Sequence, residues 1–405
     1  MPQALIYSPD LDGHRQVYAL VMATVLHELG FRIYLACDTK QIINNTYYID
    51  KIKEISDVSF IDLSKYDNGG YTITFDELVQ LQTALKVDLT VFAEADPHIP
   101  LFSSKIFQRR FKARGRLVGI FMRPFYFYRH RSILSTLRFL KDIPSRWRKD
   151  ERFFYDFILK QFSIFDEVLS IDENFVSHHK QFTWLPDVFQ QYADFILQDE
   201  NRKQRQWVEK LTDFINVNSK HFHIFYFGTA AARRGYDILL NLALEYDACF
   251  IHYGLKGENQ KFVYDTDPIR SVLSETGRLF ETNEYIIDPT TIKHFFKSAS
   301  LMLFPYRKFY GSSGVMLQAL GCRVPVLSPN FGIMGHRVKK YVLGITYDEA
   351  NENDMKAKFE LFRNQDPKSY EMNIKNYMSF QTIDQLKNTL INTFTGSKLP
   401  VALPQ

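Results

Sequence analysis

Short apolar runs, each followed by a helical pattern, recur along most of the chain, and this alternation constrains the fold more than any other feature. Ala4-Leu5-Ile6-Tyr7-Ser8 reads as a buried strand. After a loop from Pro9 to His14, Gln16–Leu29 carries apolar residues at helical spacing and stops at Gly30, a residue suited to a helix end. Further strands are predicted at Phe31–Ala36, Val58–Leu63, Leu89–Ala93, Leu117–Met122 and Glu167–Ile171. Strand–helix alternation of this kind calls for a parallel sheet with crossover helices, a Rossmann-like layer.

The pattern lapses near Trp184-Leu185-Pro186-Asp187, passes through a polar, helix-prone stretch to about Ser219, and restarts. Strands are predicted at His223–Phe227, Cys249–Gly254, Leu301–Pro305 and Val324–Ser328, with helices at Tyr236–Leu244 and about Ser313–Leu320. At 405 residues the chain is too long for one ordinary core. The expectation is an α/β protein with a first domain over 1–190, a second over 191–378, and a last segment, 379–405, whose helical stretch Ser379–Phe394 crosses back to the first domain.

Composition excludes several classes. With 45% apolar and 24% charged residues the chain is globular, neither disordered nor fibrous. Cys37, Cys249 and Cys322 are odd in number and lie in apolar runs, so buried free thiols are expected. No basic leader precedes a long apolar stretch at the start, and no run of about 18 apolar residues occurs. A cytoplasmic address is therefore expected.

Two glycine segments follow strands and open helices. In Phe304-Pro305-Tyr306-Arg307-Lys308-Phe309-Tyr310-Gly311-Ser312-Ser313-Gly314-Val315, amides at the helix start, unobstructed at Gly311 and Gly314, form a site for an anion. Ligands in such folds sit outside the carboxyl ends of parallel strands. In Phe227-Gly228-Thr229-Ala230-Ala231-Ala232-Arg233-Arg234-Gly235-Tyr236 the turn carries two guanidinium groups, whose forked donors suit phosphate oxygens. The plainer readings are a turn with its cap and a surface arginine pair.

Taken in order, these segments resemble the donor-binding half of family 4 retaining glycosyltransferases. The likeness runs on through Asp288-Pro289-Thr290-Thr291-Ile292, Ala319-Leu320-Gly321-Cys322-Arg323-Val324-Pro325-Val326-Leu327 and Gly332-Ile333-Met334-Gly335-His336-Arg337-Val338. It covers most of residues 222–395 and is weaker over 1–190, where it rests on Asp12-Gly13-His14 and the alternation.

The resemblance implies a GT-B fold, two Rossmann-like domains facing across a cleft, and transfer of a sugar from a nucleotide-diphosphate donor, with retention and without a metal or other cofactor. Arg234 matches the basic residue that holds the donor diphosphate, with Arg233 as helper and Gly228 in the same turn. Ser312, Ser313, Gly314 and Val315 match the helix start at that diphosphate. The family's two glutamates, with seven residues between them, fall at Tyr310 and Gln318. Gln318 can still hydrogen-bond a ribose hydroxyl, whereas Tyr310 brings no carboxylate. His336 stands where an acidic residue is common. Gly13 and His14 match the loop beneath the donor, and His14, at a helix start, is disfavoured as a cation.

His14, Arg123 and His130 are the catalytic candidates, with packing or capping as the alternative for each. Glu94 and Asp96 are read as acid–base or acceptor-hydroxyl groups, or as caps of a following helix. Asp10-Leu11-Asp12 and Asp265-Thr266-Asp267 are discounted as chance D-x-D matches, and His178-His179 lacks partners at zinc-ligand spacing.

Charge is uneven. Residues 105–152 hold 15 Lys and Arg against Asp142, Asp150 and Glu151, a net +12, which leaves −8 for the rest of a chain whose total is +4. The basic residues alternate with aromatics, as in Phe125-Tyr126-Phe127-Tyr128-Arg129-His130-Arg131. An anionic membrane surface is the favoured partner, ahead of a plain solvated or acceptor-binding face, with nucleic acid disfavoured. The expected partners are thus a nucleotide-sugar donor, a glycan or lipid-linked acceptor and an anionic bilayer. Two other readings stay open: an inactive GT-B relative acting as a binding or scaffold protein, and a sugar-nucleotide epimerase.

Overall fold

The computed structural model describes residues 1–11, 14–39, 47–66, 73–98, 115–122, 165–188, 204–257, 260–286 and 288–397. The chain divides into two compact units, one formed by 1–187 with 381–405 and the other by 188–380.

In the first unit, β1 (Gln3–Tyr7), β2 (Arg32–Cys37), β3 (Val58–Asp62), β4 (Leu89–Phe92), β5 (Arg116–Phe121), β6 (Glu167–Ser170) and β7 (Phe182–Trp184) make one sheet in the order β3-β2-β1-β4-β5-β6-β7. Every pairing is parallel. β1 and β4 are buried almost end to end, which is why they read as unbroken apolar runs instead of alternating ones. Strand order reverses between β1 and β4, so the crevice at their carboxyl ends is this unit's switch point.

The helix His14–Glu28 follows β1 and packs against the last helix, Ile383–Thr395. The expected single stretch from Ser379 to Phe394 is instead two helices, Glu371–Phe380 and Ile383–Thr395. The break has a local cause. Gln381 is buried and its Oε1 accepts the Asp187 N–H at 2.7 Å, while Thr382 caps the new helix by accepting the Gln385 N–H. At the far end, Arg116 donates to the carbonyls of Phe394 (2.7 Å) and Thr393 (3.0 Å), a cation set on a helix C-terminus. One of the 15 basic residues counted above is therefore committed inside the fold.

The second unit carries two three-stranded parallel ladders: β8 (His223–Phe227), β9 (Cys249–Tyr253) and β10 (Leu279–Glu281) in the order β10-β9-β8, and β11 (Met302–Leu303), β12 (Val326–Pro329) and β13 (Gly344–Tyr347) in the order β11-β12-β13. β8 and β11 run side by side where the ladders meet. One aromatic-rich core serves both, including Phe225, Phe295, Tyr253 and Phe296. Only Met302 and Leu303 of the expected Leu301–Pro305 strand pair as strand, since Pro305 has no N–H to give a ladder. Asp288, ahead of Pro289, caps the next helix by accepting the Thr291 N–H at 2.7 Å.

Cys37 and Cys249 are buried thiols, and burial pushes them up to about 12 and about 11; Cys322 is half-buried. Among the described residues no helix is long and apolar enough to cross a membrane.

Candidate functional site

The two glycine segments lie at the carboxyl ends of β8 and β11, the second unit's switch point. After β8 the chain turns at Gly228 (φ +104°) and makes a short 3-10 turn over Ala232–Arg234. It enters the helix Tyr236–Glu245 through Gly235 (φ +71°). A Cβ on Gly235 would lie 2.3 Å from the Pro305 carbonyl oxygen, so glycine is required for the two turns to touch. They are also tied by hydrogen bonds. Arg307 N–H donates to Arg233 O (2.9 Å) and its guanidinium to Ala232 O (2.6 Å), while the same guanidinium grips both oxygens of Asp237. The hydrogen bond and Asp237 together keep Arg307 protonated against the cost of its partial burial.

Arg234 lies over the first turn: a Cβ on Gly228 would meet its Nη1 at 2.6 Å. Arg234 is half-buried, and among the described residues its guanidinium makes no ion pair or hydrogen bond. Arg233 is exposed. A partly desolvated cation without a counter-charge over a glycine turn is an anion site in waiting.

The second turn supplies a helix N-terminus. Ser313 caps Gly314–Gly321 by accepting the Met316 N–H at 3.2 Å, and Tyr306 Oη lies 3.4 Å from the same hydroxyl. The amides of Gly314 and Val315 have no acceptor among the described residues. Ser313 thus serves as the cap, and the groups left open to an acceptor are the two amides after it. Ser312 accepts from the guanidinium of Arg337 at 2.7 Å, and Arg337 is wholly buried behind the turn. Tyr310 packs its ring on Phe331, 5.5 Å away. Gln318 is buried with its Oε1 unpartnered, an acceptor available to a hydroxyl donor.

In the first unit the corresponding crevice looks different. Arg15 bridges Asp10 (2.5 Å) and Glu94 (2.6 Å), so the Glu94 carboxylate ends β4 already paired with a cation. Asp96 is buried and accepts the Met122 N–H at 2.6 Å, which ties the end of β5 and accounts for this carboxylate structurally. His98 is buried edge-on against Tyr7, and burial holds its ring down at about 4. His14 opens its helix, but its side chain, with Gly13, Arg123 and His130, lies outside the described residues. So does the basic block, apart from 115–122.

Arg307, Arg337 and His252 went unassigned in the sequence. Arg307 stands inside the Phe304–Val315 segment and Arg337 inside Gly332–Val338; neither signals its partner. His252 had a signal: a histidine inside the apolar strand Cys249–Tyr253. Asp267, part of a D-x-D match, is helical and paired with Arg270 at 2.6 Å.

No protein-family model matches the sequence, and no curated protein is similar to it in sequence. Solved structures are similar in fold. A glycosyltransferase from Rickettsia africae superposes with a TM-score of 0.63 at 11% identity, over 98% of each chain. Anabaena HepE, solved in complex with UDP, does so with 0.63 at 13% identity, over 98% of this chain and 100% of its own. The UDP-GlcNAc 2-epimerase of Methanocaldococcus jannaschii, solved with UDP-GlcNAc and UDP, reaches 0.52 at 10% identity, over 91% and 94%. The fold is the GT-B fold of glycosyltransferases, as the sequence resemblance implied.

Proposed function

We propose that this chain is a glycosyltransferase that moves a sugar from a nucleotide-diphosphate donor to a glycan or lipid-linked acceptor, with retention and without a metal. The observation that carries the reading is the junction of two positively polarised turns at one switch point: Arg234 and the amides of Gly314 and Val315, none of which has a counter-charge or acceptor among the described residues. When the sugar–phosphate bond breaks, negative charge gathers on the leaving diphosphate. Donors already fixed in place stabilise that charge with no reorganisation. Gln318 Oε1 would take a ribose hydroxyl. The paired Arg15–Glu94 group at the other unit's switch point is assigned to the acceptor.

The acidic residue expected beside the transferred sugar is Tyr310 here, and this favours a second reading, a binding protein on the same fold. The fold alone does not choose between transfer and epimerisation, because an epimerase shares it. Residues 105–152 are proposed to hold the protein on an anionic inner membrane face, by their +12 charge and interleaved aromatics. Flotation with phosphatidylglycerol vesicles but not phosphatidylcholine vesicles is the expected result.

Thermal shift against UDP, GDP and ADP tests the donor site, since a ligand bound only by the folded state raises Tm by mass action. One of the three is expected to do so, and Arg234→Ala to remove the rise while leaving the ligand-free Tm in place. An unchanged rise would take Arg234 out of the site. Slow hydrolysis of the matching nucleotide sugar in EDTA would separate transferase from binding protein; conversion of the free sugar nucleotide to its epimer would replace both.

A further inference from the structure

Three residues stand in register across β8, β9 and β10: Tyr226 opposite His252, and His252 opposite Glu281. His252 is fully buried, its ring edge-on to Tyr226 (5.2 Å) and Tyr236 (5.1 Å). One ring nitrogen, Nε2, is 2.9 Å from the Gly228 carbonyl; the other, Nδ1, faces Glu281 Oε1 at 3.5 Å. A carbonyl only accepts, so the proton on Nε2 is fixed. Glu281 is itself held by Arg270, at 3.0 and 2.5 Å, and by Tyr236 Oη at 3.0 Å. Tyr226 Oη donates to the next carbonyl, Thr229 O, at 2.8 Å. Two successive carbonyls of the glycine turn are thus drawn down into the sheet.

In a trans peptide the N–H points opposite to the C=O. With Gly228 O turned inward, the Thr229 N–H of the same peptide unit is turned outward. It meets no acceptor among the described residues, unlike Ala230 N–H, which donates to Leu255 O at 2.8 Å. Glycine at 228, with φ +104°, leaves that peptide unit free to rotate unless something holds it. We infer that His252 is a positioning residue of the donor site, which pins the Gly228–Thr229 peptide so that the Thr229 amide joins Arg234 in binding the anion. What the amide binds rests on the nucleotide-diphosphate reading; the pinning does not.

The test uses the full chain, UDP as probe, and two variants. His252→Phe keeps a ring against Tyr226 and Tyr236 but lacks the donor. His252→Gln supplies a side-chain N–H within reach of the same carbonyl. The expected result is a loss of about tenfold in UDP affinity for His252→Phe, measured well below its Tm, with His252→Gln within about threefold of the wild type. His252→Phe binding UDP as the wild type does, or both variants losing affinity equally, would overturn the inference. Hydrogen exchange at Thr229 in the ligand-free protein separates this from the donor reading. Faster exchange in His252→Phe alone sustains the pinning even where the wild type binds none of UDP, GDP and ADP, an outcome that would remove the nucleotide reading instead. Unchanged exchange at Thr229 overturns the pinning.

Discussion

The two units use the same crossing of parallel strands and equip it in opposite ways. At the β1–β4 switch point the charges are matched: Arg15 sits between Asp10 and Glu94, and the histidine beside them is neutral and aromatic-packed. At the β8–β11 switch point the charge is unmatched among the described residues and the backbone bare, with Arg234 over Gly228 and two amides at the Gly314–Gly321 helix start that meet no acceptor there. A matched site offers directed hydrogen bonds and suits neutral hydroxyl compounds. An unmatched cationic site keeps electrostatic free energy in hand until an anion arrives. The contrast explains why one sheet architecture, used twice, is assigned an acceptor on one side and a diphosphate on the other.

The largest expected effect comes from closing the contact between the glycine turns. Gly235→Ala forces a Cβ to 2.3 Å from Pro305 O at a positive φ, and should cost about 3 kcal/mol or more in urea unfolding along with UDP affinity. Gly30→Ala in the first unit has the same sign of φ but open space around it, and should cost about 1 kcal/mol. Equal losses would show that the turns are not jammed together.

Acid should separate the units next. The His98 ring titrates at about 4 in the fold and near 6.5 when unfolded. Between those values the unfolded chain takes up a proton that the folded one refuses, so stability present above pH 6.5 is lost as pH falls to 4, by about 3 kcal/mol at most. Glu281 behaves as an acid with the opposite starting form. Burial opposes its ionisation, but the Arg270 guanidinium, which donates to both its oxygens, overcomes that and holds it at about 2, so its contribution stands above pH 4.5 and is lost only on descending to 2. The first unit should therefore weaken first in a pH series of denaturant melts. His98→Phe should flatten the upper step and leave the lower one, and Glu281→Gln the reverse.

The smallest effect is expected at Arg307, whose bidentate grip on Asp237 is 40% exposed on the arginine side. Arg307→Ala should cost no more than about 1 kcal/mol of stability, because solvent screens such pairs. A larger loss would mean that the strut to Ala232 and Arg233 matters more than the ion pair.

The fold was legible because its elements carry strong local signals: the apolar runs of β1, β4 and β8, and Gly30 after a helix. What escaped was short or long-range. β10 is three residues long, too short for a period to show. The break at Gln381 depends on a hydrogen bond to Asp187, which no window along the chain contains. In the site, the two glycine turns stood out from glycine chemistry and the choice of Arg234 from the family resemblance, while Ser313 is the cap of its helix. Arg307, Arg337 and His252 take their meaning from partners 25 residues or more apart in sequence or from strands meeting side by side.

The central claim is that one diphosphate engages both turns at once. Titrating 15N-labelled protein with UDP, and separately with uridine, tests it directly. The account expects the amides of Thr229, Gly314 and Val315 and the Arg234 Nε to move together with a single dissociation constant for UDP, and to stay still with uridine. Movement at one turn alone, or two distinct constants, would contradict it.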